Sequence, residues 1–277
     1  MKKYYRLVGM VAVKDEAQNI ARWLQRNGEF LDGIVALDDG STDGTTELLR
    51  HHPKVISFIH RPPGTPWYLV KNLQHILSEA KKTGAEWLFH LDADDIMEAK
   101  LSEVLDELLK QKEVGRYRFQ EITLWRSTQE YRIDKPEKYH RITNHPMLIR
   151  NHPALSWVPR EESFMINFRR FMASCLKGKL FLYEPVRKRR FKGLRSGNKF
   201  EGVQGETVGL KDVVRIHYHY ADWDAAWKKQ IRYALNYAIA LDYKPEEIDA
   251  LFKYVTQRLD EDGLQLAPVK PEWGILD

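Results

Sequence analysis

A mostly parallel α/β sheet with helices on both faces is the expected architecture, followed by a C-terminal helical extension. Three observations lead there. Within the first hundred of 277 residues, short apolar runs alternate four times with segments of helical period, the pattern of a parallel sheet covered on both sides. Two pairs or clusters of carboxylates, Asp38-Asp39 and Asp92, Asp94 and Asp95, fall at the ends of such runs, where open α/β sheets place their ligands. With 43% hydrophobic and 12% aromatic residues, the chain can bury a large core.

The elements follow in order. "YRLVGMVAV" (5–13) reads as a buried strand, and Ile20, Trp23 and Leu24 mark a helix that Asn27-Gly28 terminates. "GIVALDD" (33–39) is a second strand, with a short helix from Thr45 to Arg50, and "KVISFIH" (54–60) is a third. Leu69, Leu73, Ile76, Leu77 and Ala80 stripe a helix with Gly84 beyond its end. "EWLFHLD" (86–92) is the fourth strand; Met97, Leu101, Val104, Leu105 and Leu108 stripe the helix after it, with Asp95 as its expected cap. From about 115 to 220 the pattern is irregular, with strands at "RYRFQEITLW", "HPMLIR" and "VVRIHYHY". Two helices are expected after Asp222, one through Trp223, Trp227, Ala234 and Ala238, the other through Ile248, Leu251, Phe252, Val255 and Leu259, before an extended Pro-containing tail. The domain division is 1–220 (a first half 1–97, a second 98–220) and 221–277 for the helical extension.

Cys175 is the sole cysteine, which excludes an internal disulfide framework and a thiolate-rich metal site. The basic start before an apolar run is too short for a spanning helix and lacks a cleavage pattern, so it is expected to be a strand. A cytoplasmic protein with scope for peripheral membrane contact is the expectation. The net charge of +5 suits an anionic ligand, nucleic acid or an acidic membrane without choosing among them.

The carboxylates carry the chemistry. A calcium loop at Asp39, Ser41, Asp43 and Gly44 fails, because Arg50 stands where a bidentate glutamate is needed. Turn and helix-cap roles explain Ser41 to Asp43 in part, but not two adjacent aspartates at a strand end. Ionised carboxylates in such clusters repel one another and are kept together only when something positive offsets their charge.

At this point "VAVKDEAQNI", "LDGIVALDDGSTDGT" and "YLVKNLQHILSEAKKTGAEWLFHLDADD" together resemble the nucleotide-sugar half of the family 2 glycosyltransferases, which have the GT-A fold. The resemblance runs through about residues 5 to 97. It implies a nucleoside-diphosphate sugar donor, a divalent metal (Mn2+ or Mg2+) and inversion at the anomeric carbon. By position, Asp39 would meet the nucleotide base, with Asp15 and Glu16 nearby. Asp92 would approach the ribose or the metal, Asp94 would be the principal metal ligand, and Lys71 stands where the family commonly has Arg before Asn.

In the second half, "PMLIRNHPALSWVPREESF" has the layout of the family's acceptor loop, with Arg160-Glu161 in a His-Glu position. Glu161 is the candidate base and Glu162 the alternate; two solvated glutamates are the plain alternative. Trp157 lines the acceptor pocket or packs. On a strand, His217 and His219 face one side, and the resemblance gives His217 a place at the metal or diphosphate, with His219 as an addition. The basic stretch 186–200 offers Arg189, Lys192 and Arg195 to the diphosphate, against a solvated charged face. The acceptor is open among a glycan, a lipid-linked molecule and a small molecule, and no nucleic acid is expected. Two alternatives stand behind: a haloacid-dehalogenase-like phosphatase, approximated by "DADDI" with Ile96 in the Thr position, and a basic nucleic-acid-binding module.

Overall fold

The computed structural model describes residues 4–65, 69–142, 147–159, 198–241 and 259–275, with Phe252 and Thr256. Its nucleus is β1 (Leu7–Val13), β2 (Gly33–Asp38), β3 (Val55–His60) and β4 (Trp87–His90). β1 lies between β2 and β4, β2 between β1 and β3, and all these pairings are parallel. Every residue of β2 and β4, and all but one of β1, is buried, as expected where helices cover both faces.

Alternation along β1 divides the core. Leu7, Val11 and Val13 pack with Ile20, Trp23 and Leu24 of α1 (Ala17–Arg26), whereas Val8 and Met10 meet Leu73, Ile76, Leu77 and Ala80 of α3 (Leu69–Lys82). Gly9 leaves the room that the Leu31 and Trp23 side chains fill; a Cβ there would lie 2.5 Å from Leu31 Cδ1. α2 (Thr45–His51) connects β2 to β3.

The helix after β4 starts later than its apolar stripe suggests. Asp95–Met97 form a short strand, β5, and α4 runs from Lys100 to Lys110 with Ala99 as its N-cap. Asp95 is therefore not the cap. Its segment pairs antiparallel with β11 (Glu206–Tyr220), Arg215 opposite Met97 and His217 opposite Asp95, and that ladder holds the chain extended until residue 97.

The irregular half completes the sheet. β6 (Val114–Trp125) pairs with β8 (Leu148–Arg150) and, parallel, with β11, whose register shifts between Leu210 and Val214. β7 (Glu130–Arg132), the short α5 (Pro136–Tyr139) and the two-stranded β9 (Ser156–Pro159) and β10 (Asn198–Glu201) decorate it. The tail returns to the sheet: β12 (Leu266–Pro268) pairs with β7, and buried Trp273 joins Ile96, Ile122, Leu124 and Ile216. Of the two expected C-terminal helices, the first is α6 (Trp223–Leu241); the second lies almost wholly outside the described residues. No helix among the described residues is long and apolar enough to cross a membrane.

Candidate active site

The carboxyl ends of β1, β2 and β4 share one edge because the strands are parallel and adjacent. The loops after β1 and β2 are stitched together by short polar side chains. Asp15 N–H donates to Ser41 Oγ at 2.8 Å, Glu16 N–H to Thr45 Oγ1 at 3.0 Å and Ala17 N–H to Asp43 Oδ2 at 2.9 Å. The hydroxyls and Asp43 thus satisfy the open start of α1, a helix from another part of the chain. Burial would raise the Asp43 carboxyl, but the bonds from Thr45 and Ala17 hold it below the usual carboxylate range.

Asp38 and Asp39 have different jobs. Asp38 is fully buried and internal: it accepts Ser41 N–H at 3.0 Å and the Thr46 hydroxyl, with His60 Nδ1 at 3.1 Å. Asp39 is also buried, with Arg61 Nη1 at 2.7 Å as its counter-ion. Burial pushes its carboxyl up, and Arg61 and Lys14 oppose that rise. Arg61 Nη1 lies 2.7 Å from Asn72 Oδ1, so Asn72 of α3 reaches this corner while its neighbour Lys71 is exposed.

After β4 the three aspartates separate. Asp95 is fully buried between Arg215, itself bound to Glu121, and His217, whose Nδ1 lies 2.8 Å from Asp95 Oδ1. Asp94 Oδ2 lies 3.1 Å from His219 Nδ1. The other nitrogen of His219, Nε2, faces the Gln230 amide Nε2 at 2.9 Å. An amide N–H can only donate, so Nε2 accepts and Nδ1–H donates to Asp94. Burial first and the Lys229 charge second push His219 down to about 3; it is neutral. Burial would raise Asp94, but Lys229 and His217 hold it well below the usual range.

Asp94, His217 and His219 can bring one ligand atom each within 4.8 Å of one another, and so can Asp92, Asp94 and Asp95. Oxygen and imidazole donors of this kind fit manganese better than magnesium. Of these five residues Asp95 is the least suited to hold a metal, being committed to Arg215 and His217. With Nδ1 donating to the Asp95 carboxylate, Nε2 of His217 is the nitrogen that could hold a metal, and Asp95 would be the outer support such an imidazole needs.

Two cations from α6 enter the same crevice, and sequence reading missed both. Lys229 Nζ lies 2.8 Å from Asp94 Oδ2 and 2.6 Å from Glu16 Oε1. Arg232 Nη1 lies 3.1 Å from Asp15 Oδ2, and Nη2 3.5 Å from Glu16 Oε1. Their spacing on a helical stripe of tryptophans and alanines reads as a solvated face; only the fold brings them to carboxylates more than two hundred residues upstream in the case of Asp15 and Glu16. Trp157 is buried, with its ring 5.4 Å from His90 and 4.9 Å from Phe200, which is packing. Glu161, Glu162, Arg189, Lys192 and Arg195 lie outside the described residues.

Residues 10–174 match the family model described as glycosyl transferase family 2. An uncharacterized protein of Mycobacterium tuberculosis, Rv3786c, is 31% identical over 101 residues, 35% of this chain and 25% of its own. The match thus spans about a quarter of that relative's length. Among solved structures, S. aureus TarS (residues 1–349) has 12% identity and a TM-score of 0.46, with 93% of this chain and 73% of that one covered. The mannosyltransferase PcManGT of Pyrobaculum calidifontis, in complex with GDP-Man and Mn2+, has 15% identity and a TM-score of 0.40 over 93% and 71%.

Proposed function

Because the chain belongs to glycosyl transferase family 2, we propose that it transfers a sugar from a nucleoside-diphosphate donor to an acceptor hydroxyl, with inversion and with a divalent cation. Membership in that family displaces the phosphatase and nucleic-acid readings. The observation that carries the metal-dependent form is the cluster of Asp94, His217 and His219 with Asp92 beside it, at the carboxyl end of β4. There a hard cation, bound with the donor, would offset the charge that grows on the leaving diphosphate. Asp94 and His217 would hold it, with His219 fixing the carboxylate of Asp94 and Asp92 facing the ribose or the ion.

Asp39, buried against Arg61 beyond β2, takes the nucleotide base, and Asp15 and Glu16 shape the wall beside it. Lys71, exposed on α3, serves the donor from the rim. In the transfer step the acceptor oxygen attacks the anomeric carbon as its bond to the diphosphate oxygen breaks. Glu161 takes the acceptor proton, with Glu162 the alternate base, and Arg189, Lys192 and Arg195 meet the diphosphate. Residues 1–220 form the catalytic unit in this reading and 221–277 its extension. The work is cytoplasmic or at a membrane surface, on a glycan, lipid-linked or small acceptor.

A thermal-shift series with nucleoside diphosphates, with and without Mn2+, tests the reading. A ligand at a hundredfold excess over its Kd stabilises by about 2.7 kcal/mol. One nucleotide should raise the melting temperature, and more so with Mn2+; no response to any of them in either condition refutes donor binding. With that donor in hand, Glu161→Gln should leave the shift intact and slow transfer by roughly 10²- to 10⁴-fold. Normal turnover in this variant would move the base elsewhere.

A further inference from the structure

The described part of the molecule holds one more feature that the proposed transfer does not use, the pair of α6 cations over the crevice. A cavity of about 300 Å³ opens here, lined among others by Asp15, Glu16, Tyr218, His219, Lys229 and Arg232. Asp94 is buried, and a buried carboxylate needs a positive partner. Lys229 brings a full positive charge into direct contact, its Nζ 2.8 Å from Asp94 Oδ2.

We infer that Lys229 is a resident counter-ion in the cation seat at Asp94, and that a divalent metal binds there only by displacing it. This rests on the reading of Asp94 as the metal ligand. An ammonium and a divalent ion cannot share Asp94 Oδ2 at contact distance without strong repulsion. Displacement does not strand the lysine, because Glu16 Oε1 already holds the same nitrogen at 2.6 Å. Lys229 sits on α6, and its side chain has four rotatable carbons, so a short swing toward Glu16 suffices. Arg232, bound to both Asp15 and Glu16, keeps the first loop docked on α6 while this happens.

The inference predicts that the lysine weakens metal binding. Binding of Mn2+ alone, without nucleotide, is to be measured on the full chain by calorimetry or by loss of the free-ion paramagnetic resonance signal. Wild type, Lys229→Met, Lys229→Gln and Asp94→Ala are compared, with circular dichroism as the check on folding. Both Lys229 variants should bind Mn2+ more tightly, by about 5- to 150-fold, the usual range for coupling between two binding events. Asp94→Ala should bind it more weakly than wild type. Unchanged or weaker Mn2+ binding in both folded Lys229 variants, with Asp94→Ala still defective, overturns the inference and leaves the metal assignment standing. Equal Mn2+ binding by wild type and Asp94→Ala overturns the metal assignment and the inference with it.

Discussion

Asp38 and Asp39 are chemically identical neighbours that the fold assigns to different tasks. Asp38 is consumed by the turn, with Ser41, Thr46 and His60 around its carboxylate. Asp39 faces a guanidinium instead. Asp39→Ala should therefore weaken donor binding, and its loss of stability should be limited because Arg61 keeps Asn72 as a partner when its carboxylate is removed. Asp38→Ala should cost about 1–3 kcal/mol through orphaned buried donors and reach donor binding only through the turn. Paired measurements of melting temperature and nucleotide affinity check both, and the reverse pattern would exchange the two roles. The adjacency of two aspartates at a strand end was legible in the sequence; which one is structural was not, since His60 lies twenty-two residues on. Asp95 was misread for the same reason. A cap is a local inference, and its partners Arg215 and His217 are some 120 residues away.

Helices and strands with a strong period were recovered nearly to their ends: α1, α3 and the first four strands differ from their expected limits by two or three residues at most. Among the short elements, α2 and β8 were recovered but others were not. β5 has three residues, too few for a period to show, and it exists because β11 offers an edge. Likewise β12 appears in the sequence as an extended tail, and only its partner β7 makes it a strand. The small sheet of β9 and β10 depends on the bend at Gly202, where φ is +82° and a Cβ would collide with the Ala154 carbonyl. Gly202→Ala is expected to destabilise by about 1–3 kcal/mol, a fall of several degrees in melting temperature. A variant as stable as wild type would mean that this bend relaxes freely.

For the molecule as a whole, the tail acts as a clasp. Trp273 is buried against β5, β6 and β11 residues, and Arg26 Nη2 bonds Gly274 O at 2.7 Å. Residues 266–275 thereby tie α1 and the sheet's far edge to one another. Trp273→Ala should cost about 3–5 kcal/mol, read as a lowered denaturation midpoint; a change below about 1 kcal/mol would show the clasp to be ornamental to stability. The α/β class, the sheet's parallel nucleus and the edge where the carboxylates gather were all legible, because parallel strands buried on both faces leave a continuous apolar run. The closing cations Lys229 and Arg232 were not, since a lysine on a helix face carries no mark of what it will meet.

β11 has a consequence for how such a chain can change over time. Arg215, His217 and His219 alternate with buried Ile216 and Tyr218, so a single added or lost residue between 214 and 220 would exchange the two sets. The register shift between Leu210 and Val214 already contains slack of that kind. Insertions and deletions in descendants of this sequence are thus better tolerated at that shift, before residue 214, than among residues 215–219, where they would turn the imidazoles to the other face. The strand behaves as a reading frame, with slack lying one short step upstream of the paired histidines.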